Sequence, residues 1–186
     1  MKTHLPPIHL ACQDDEMRPN FRFIEIKKGI AHATNGHFLV KMELEKVSDL
    51  TNEQIELLNG KYIHMEAWKE IHKADIIEFT EDGFSCWNKG IKKVYEYGEP
   101  VGEFFTIDSV IVGIKSKGEV EVGRIAYNPK MIATIAKIFE SNTLFFSFSG
   151  PSSGTVVYPS YDCGMFAILM PCMLDAESSS RYLFLT

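Results

Sequence analysis

Asn20-Phe21-Arg22-Phe23-Ile24-Glu25-Ile26-Lys27-Lys28-Gly29-Ile30-Ala31-His32-Ala33-Thr34-Asn35-Gly36-His37-Phe38-Leu39-Val40-Lys41-Met42-Glu43-Leu44 is the stretch that decides the fold. Residues 21–26 alternate apolar with polar side chains, a period of two that puts one set on a core and the other on solvent. Lys28-Gly29 is a turn signal and residues 30–34 form a second run. Asn35-Gly36 is a pair favoured where two residues of positive φ make a tight turn, and residues 37–44 alternate again. Three antiparallel strands are expected before residue 45.

Working outward, residues 48–60 are polar, and Thr51-Asn52-Glu53-Gln54 starts a short helix. Over 65–74, Ala67, Trp68, Ile71 and Ala74 fall at three- and four-residue spacing, with Glu66, Lys69, Glu70 and Lys73 on the opposite face. Glu70 and Lys73 are spaced to pair along that helix. Strands are expected at 76–80, 84–87 and 94–97, and again at 104–114 and 119–127 among glycines. Asn128-Pro129 opens a helix running to about Phe139, because an Asn cap accepts from an orphaned N–H and proline at the first position loses no bond. Strands follow at 143–149, 155–158 and 165–174, with Gly150-Pro151-Ser152-Ser153-Gly154 as the hairpin turn between the first two. The pattern predicts one α+β domain over 1–186: N-terminal strands in 1–50, then two βαβββ units at 62–97 and 119–174, their helices on one face of antiparallel sheets.

The chain has 186 residues, 45% hydrophobic and 24% charged, enough for a real core in one domain. No run of apolar residues reaches the length of a membrane span. Met1-Lys2-Thr3-His4-Leu5-Pro6-Pro7 lacks the apolar run of a signal peptide, so a cytoplasmic protein is expected. Cys12, Cys86, Cys163 and Cys172 are widely spaced, which suits free buried thiols. The six histidines form no zinc pair, and phosphate-loop, nucleophile-elbow and dinucleotide fingerprints are missing. Asp14-Asp15-Glu16 reads as a solvated acidic loop. No catalysis, cofactor or metal is expected.

With 19 Lys+Arg against 25 Asp+Glu the net charge is −6, which argues against binding nucleic acid through bulk positive charge. The charge is uneven. Lys130, Thr134, Lys137 and Ser141 make one polar stripe, Met131, Ile132, Ile135, Ile138 and Phe139 cover the other side, and no acid falls between Pro129 and Phe139. An acidic body with a basic helix face is compatible with a mobile DNA-associated protein.

Ala33-Thr34-Asn35-Gly36-His37-Phe38-Leu39 resembles the A-T-D-G-H-R-L motif of the bacterial sliding clamp, the β subunit of DNA polymerase III. Met170-Pro171-Cys172-Met173-Leu174 resembles its C-terminal M-P-M-R-L, in the same order along the chain. The resemblance implies a DNA-clamp-like fold with sheets outside and helices lining a channel around duplex DNA. Lys69, Lys73, Lys130 and Lys137 would then face double-stranded DNA without reading bases. It also implies a hydrophobic cleft for short peptide motifs of replication or repair proteins. Thr34, Gly36, His37 and Leu39 would form one wall and Met170, Pro171, Cys172, Met173 and Leu174 the other. Phe38 and Met173 replace the arginines of the two motifs, which makes the expected cleft greasier. The family's ring has six such domains, so a one-domain chain would have to form a homo-oligomer. The alternative is a monomeric interaction module that keeps the fold and does not encircle DNA.

Overall fold

The structure, a computed structural model, describes residues 4–100, 107–160 and 163–172. Ten strands occur among them: β1 Phe23–Lys27, β2 Ile30–Thr34, β3 Phe38–Glu43, β4 Tyr62–His64, β5 Ile76–Phe79, β6 Gly83–Asn88, β7 Ile91–Glu96, β8 Phe145–Ser147, β9 Thr155–Tyr158 and β10 Met165–Leu169. The helices are α1 Leu44–Val47, α2 Asn52–Leu58, α3 Met65–Lys73, α4 Ile107–Lys115 and α5 Pro129–Ile138, preceded by two 3-10 turns, Ile8–Ala11 and Pro19–Arg22. No helix among the described residues is long and apolar enough to cross a membrane.

The first three strands form as their alternation predicts. Lys28 and Gly29 take φ of +53° and +70°, a mirror-image turn that matches strand twist. The second turn is built differently from the expectation. Only Gly36 has positive φ, and Asn35 acts through its side chain, whose Oδ1 accepts from the N–H groups of His37 and Phe38 at 3.0 Å each. Thr34 Oγ1 donates to the Phe38 carbonyl at 2.7 Å and accepts from the Gly36 N–H at 3.0 Å. Two side chains and one glycine thus fix this loop, where a two-residue turn would have used backbone alone.

A seven-stranded antiparallel sheet runs in the order β4-β1-β2-β3-β10-β9-β8, and β5-β6-β7 form a separate three-stranded sheet. The junction is β3 with β10, where Phe38 lies opposite Leu169 and Leu39 opposite Ile168. The inner face of the large sheet carries Ile24, Ile26, Ala31, Ala33, Val40, Met42, Ile63, Val157, Ala167 and Leu169. Against it pack α3 through Ala67, Trp68 and Ile71, and α5 through Ile135, Ile138 and Phe139. Between these helices sits the segment before β1. Leu5, Ile8 and Ala11 are buried, and the Ile8–Ala11 turn touches β2, α3 and α5. Ala31 and Ala33 are small where this turn needs room. An N-terminal 3-10 turn therefore occupies a place in the layer that a helix would otherwise fill. It is tied down by the Trp68 Nε1–H to Pro6 carbonyl bond at 3.0 Å and by the His72 Nδ1 contact with the Leu5 carbonyl at 2.7 Å. A carbonyl only accepts, so Nδ1 carries the proton of His72.

β4, α3, β5, β6 and β7 follow one another along the chain, β4 in the large sheet and β5-β6-β7 in the small one. Thr51 caps α2 with a full capping box, and Asn128 caps α5 by accepting from the Lys130 N–H. Three expectations need correction. Residues 107–115 are helical, where a strand was expected over 104–114; residues 104–106 lie outside the described residues. The β-branched run favours a strand, but Ile111 and Ile114 share a helical face, and packing of that face overrides propensity. The strand expected over 119–127 is reduced to a single bridge, Ala126 with Cys172, plus one bond from the Val120 N–H to the Phe148 carbonyl. Gly118, Gly123 and the exposed Glu119 and Glu121 give that stretch little to bury. The last strand ends at Leu169, because Pro171 has no N–H to extend the ladder. The 150–154 turn does join β8 and β9 as a hairpin. All four cysteines are free, but only Cys86 is buried; Cys12 and Cys163 are half-buried and Cys172 is exposed.

Candidate peptide cleft and helix face

The β3–β10 pairing brings the two motif segments side by side. The Met170 N–H donates to the His37 carbonyl at 3.0 Å, so the residue after β10 lies against the Asn35-Gly36-His37 loop. Gly36 and His37 are exposed, and Thr34 is buried with its hydroxyl spent on the loop. A Cβ on Gly36 would lie 2.7 Å from Arg18 Nη1 and 3.0 Å from Phe21 Cε2, so Arg18, stacked over the Phe21 ring, closes the loop on that side. Met170 is 44% exposed, Pro171 is half-buried, and Cys172 is exposed with its N–H donating to the Ala126 carbonyl at 2.8 Å. Met173 and Leu174 lie outside the described residues.

Alternation along β3 corrects the expected role of Phe38. It is buried in the main core, whereas Leu39 points to the outer face. Phe38 therefore adds to the interior and does not make the cleft surface greasier.

On that outer face Leu39 and Ile168 form a second, small apolar cluster with Ile114 of α4, flanked by Ile111, Val156 and Phe166. Leu39 is 6% and Ile168 2% exposed because α4 lies over them. A Cβ at Gly154 would sit 2.8 Å from Ile168 Cγ2, 3.0 Å from Ile114 Cδ1 and 3.3 Å from Met170 Sδ, so the glycine lets these side chains close over the start of β9. The groove continues beside α4 as a pocket of about 350 Å³, walled by Ile111, Val156, Tyr158, Phe166 and Cys163. Glu43 and Lys46, paired at 2.9 Å, stand at its rim. The resemblance named Leu39 and Met170; it did not point to Ile111, Ile114 or Gly154, since α4 was not legible as a helix.

The lysines stand on the other side of the sheet. α3 and α5 both bury their apolar faces on the N-terminal turn, which leaves Lys73, Lys130 and Lys137 exposed and, among the described residues, without an ion pair. Lys69 is different: its Nζ lies 3.0 Å from Glu66 Oε2. The Glu70–Lys73 pair expected along α3 does not form. Glu70 instead accepts from Lys93 of β7 at 2.5 Å, a cross-element bond that holds the Glu70 carboxyl below its ordinary range. Thr134 is half-buried and its hydroxyl bonds back to the Lys130 carbonyl, so Ala133 joins Lys130 and Lys137 on the outer stripe. The C-terminal ends of α3 and α5 flank a polar hollow that adds Lys89, His4 and His72 to Lys73, with Asp75 and Glu140 beside them. His4 and Glu140 pair there at 3.0 Å. Lys89 reaches this place from the β6–β7 turn, a long-range placement no local pattern announces.

His9 lies under α3 with its Nδ1 buried and, among the described residues, unbonded. Burial first, then the neighbouring His72 and Lys69, push its pKa down to about 4. Between pH 6.5 and about 4 the unfolded chain takes up a proton that the folded chain refuses, so stability falls as acid is added through this window. His9→Gln should reduce the loss between pH 7 and pH 5 by roughly 1 kcal/mol, after allowance for solvent screening of a half-buried ring. Urea unfolding of both proteins at the two pH values measures it; identical pH dependence would contradict it.

Comparison with solved structures identifies this architecture. The DNA polymerase sliding clamp from Caulobacter crescentus matches with a TM-score of 0.61 and 15% identity over 93% of this chain and 65% of that one. The clamp from Bacillus subtilis matches with a TM-score of 0.60 and 12% identity over 94% and 64%. The sliding clamp (DNA polymerase III subunit beta) from Pseudomonas aeruginosa, solved bound to griselimycin, matches with 0.58 and 10% over 89% and 61%. The chain thus spans less than two thirds of the length of these clamps. No family model and no curated protein matches it. At this identity the likeness establishes the fold: this chain has the α+β clamp fold.

Proposed function

We propose that this protein is a non-catalytic, clamp-like tether, associated with duplex DNA through α3 and α5 and holding a protein partner by an apolar peptide on the outer face of β3 and β10. The observation that carries the reading is the two-sided arrangement. One sheet face supports two helices with Lys73, Lys130 and Lys137, which among the described residues make no ion pair, while the opposite face carries the apolar pair Leu39 and Ile168, covered by Ile114, with Met170 exposed beside it. Contacts from such lysines neutralise phosphates and carry no sequence information. A groove with an exposed, unbranched methionine at its mouth suits varied apolar anchors.

Two helices per chain do not surround a duplex, so encirclement needs several copies. Among the described residues β7 and β8 are edge strands, and with Ile91, Val94 and Phe145 exposed they are where neighbouring copies would pair. The net charge of −6, which opposes binding to phosphates, favours a second reading, a monomeric interaction module that retains the groove. Affinity for duplexes of unrelated sequence, measured against salt concentration, separates them. The tether gives equal affinities on all sequences and a log–log slope of about −3 per chain for three lysine contacts; the module gives no salt-dependent binding.

A further inference from the structure

Resting on the reading of the outer groove as a peptide cleft, we propose that α4 is a displaceable cover, so that a docking peptide gains access to Leu39 and Ile168 only by lifting Ile111 and Ile114 away. Three observations converge on it. First, α4 fills only part of the apolar groove: Ile114 seals Leu39 and Ile168, while about 350 Å³ beside it stays open along Val156, Tyr158 and Phe166. The resident helix and an incoming apolar segment therefore compete for one continuous surface. Second, the helix is made of residues that favour it weakly. Ile107, Val110, Ile111, Val112 and Ile114 are β-branched, and Gly113 lies in its interior. Third, α4 is apolar on its solvent side as well, with Val110 42% and Val112 65% exposed. Lifting it costs little exposure of those side chains, since they are already in water, and an extended form suits the same residues.

The cover makes a quantitative demand. If the open form is the binding-competent one, apparent affinity scales with its population, so changes in α4 stability must appear in peptide binding with opposite sign. The probe is a fluorescein-labelled apolar hexapeptide, Ser-Ser-Leu-Phe-Leu-Ser, read by anisotropy. Val112→Pro breaks the helix at an exposed position and leaves the groove side chains intact; Ile114→Ser loosens the seal directly. Each should tighten binding about tenfold or more. Gly113→Ala should stabilise α4, because a Cβ there meets nothing within 4 Å and φ is not positive, and should weaken binding about fivefold. Leu39→Asp should abolish binding in every background. Equal affinities for the parent chain, Val112→Pro and Gly113→Ala, still lost with Leu39→Asp, would overturn the cover and keep the groove. No binding by any variant, the uncovered ones included, would overturn both.

Discussion

Trp68→Ala should cost roughly 4–6 kcal/mol, the largest loss expected from a single substitution in this chain. Trp68 is 1% exposed in the main core, and truncation of a buried tryptophan costs about 3–5 kcal/mol through lost transfer energy and the cavity left behind. The indole does more than fill volume. Its Nε1–H donates to the Pro6 carbonyl, which also accepts from the Ile8 N–H, so alanine removes one of that carbonyl's two hydrogen bonds, worth about 1 kcal/mol. The segment released is the one that wedges α3 against α5, and His9, Leu5 and Ile8 go with it. For a domain of ordinary stability, about 5–15 kcal/mol, this is a large fraction of the total. Trp68→Phe should keep most of the packing and lose about 1–2 kcal/mol, chiefly the hydrogen bond. Urea midpoints of the two variants measure both effects. A loss below about 1.5 kcal/mol for Trp68→Ala would show that the N-terminal turn is not a true part of the core.

The second large effect is on nucleic acid. Lys130→Glu/Lys137→Glu should weaken duplex binding about a hundredfold at 0.1 M salt and lower the salt slope by about two, because each lost phosphate contact removes close to a decade of affinity there. The loss should be equal on unrelated sequences. Folding should survive, since both side chains are exposed and, among the described residues, neither makes an ion pair. Lys69→Glu should matter less, because Lys69 is already paired with Glu66. Lys73→Glu should approach the effect of one α5 reversal, since Lys93 has taken Glu70 away from it. Unchanged affinity in the double variant would remove the helix face from the account.

Local patterns made much of this legible. Alternation over residues 21–44 announced β1, β2 and β3, and Asn128-Pro129 marked the start of α5 to the residue. The resemblance of two short segments set them in one place, and β3–β10 pairing puts Met170 beside His37 from the far end of the chain. Long-range competition was not legible. Nothing near Glu70 says that Lys93 will outbid Lys73 for it. The β-branched run 107–114 speaks for a strand, and only the apolar outer face made by Leu39 and Ile168 turns it into a helix. The N-terminal residues, broken by Pro6, Pro7 and Pro19, gave no helical period, yet they complete the helical layer as a short turn held by α3.

The central claim, that copies of this clamp fold assemble around duplex DNA, is tested most directly by retention on closed circular against linearised duplex, with the molar mass of the protein measured by light scattering at the same concentrations. The account predicts a multiple of the 21.1 kDa chain, retained on circles and lost from the linear form through its ends. A 21.1 kDa monomer at every concentration, with equal retention on both forms of DNA, would contradict it.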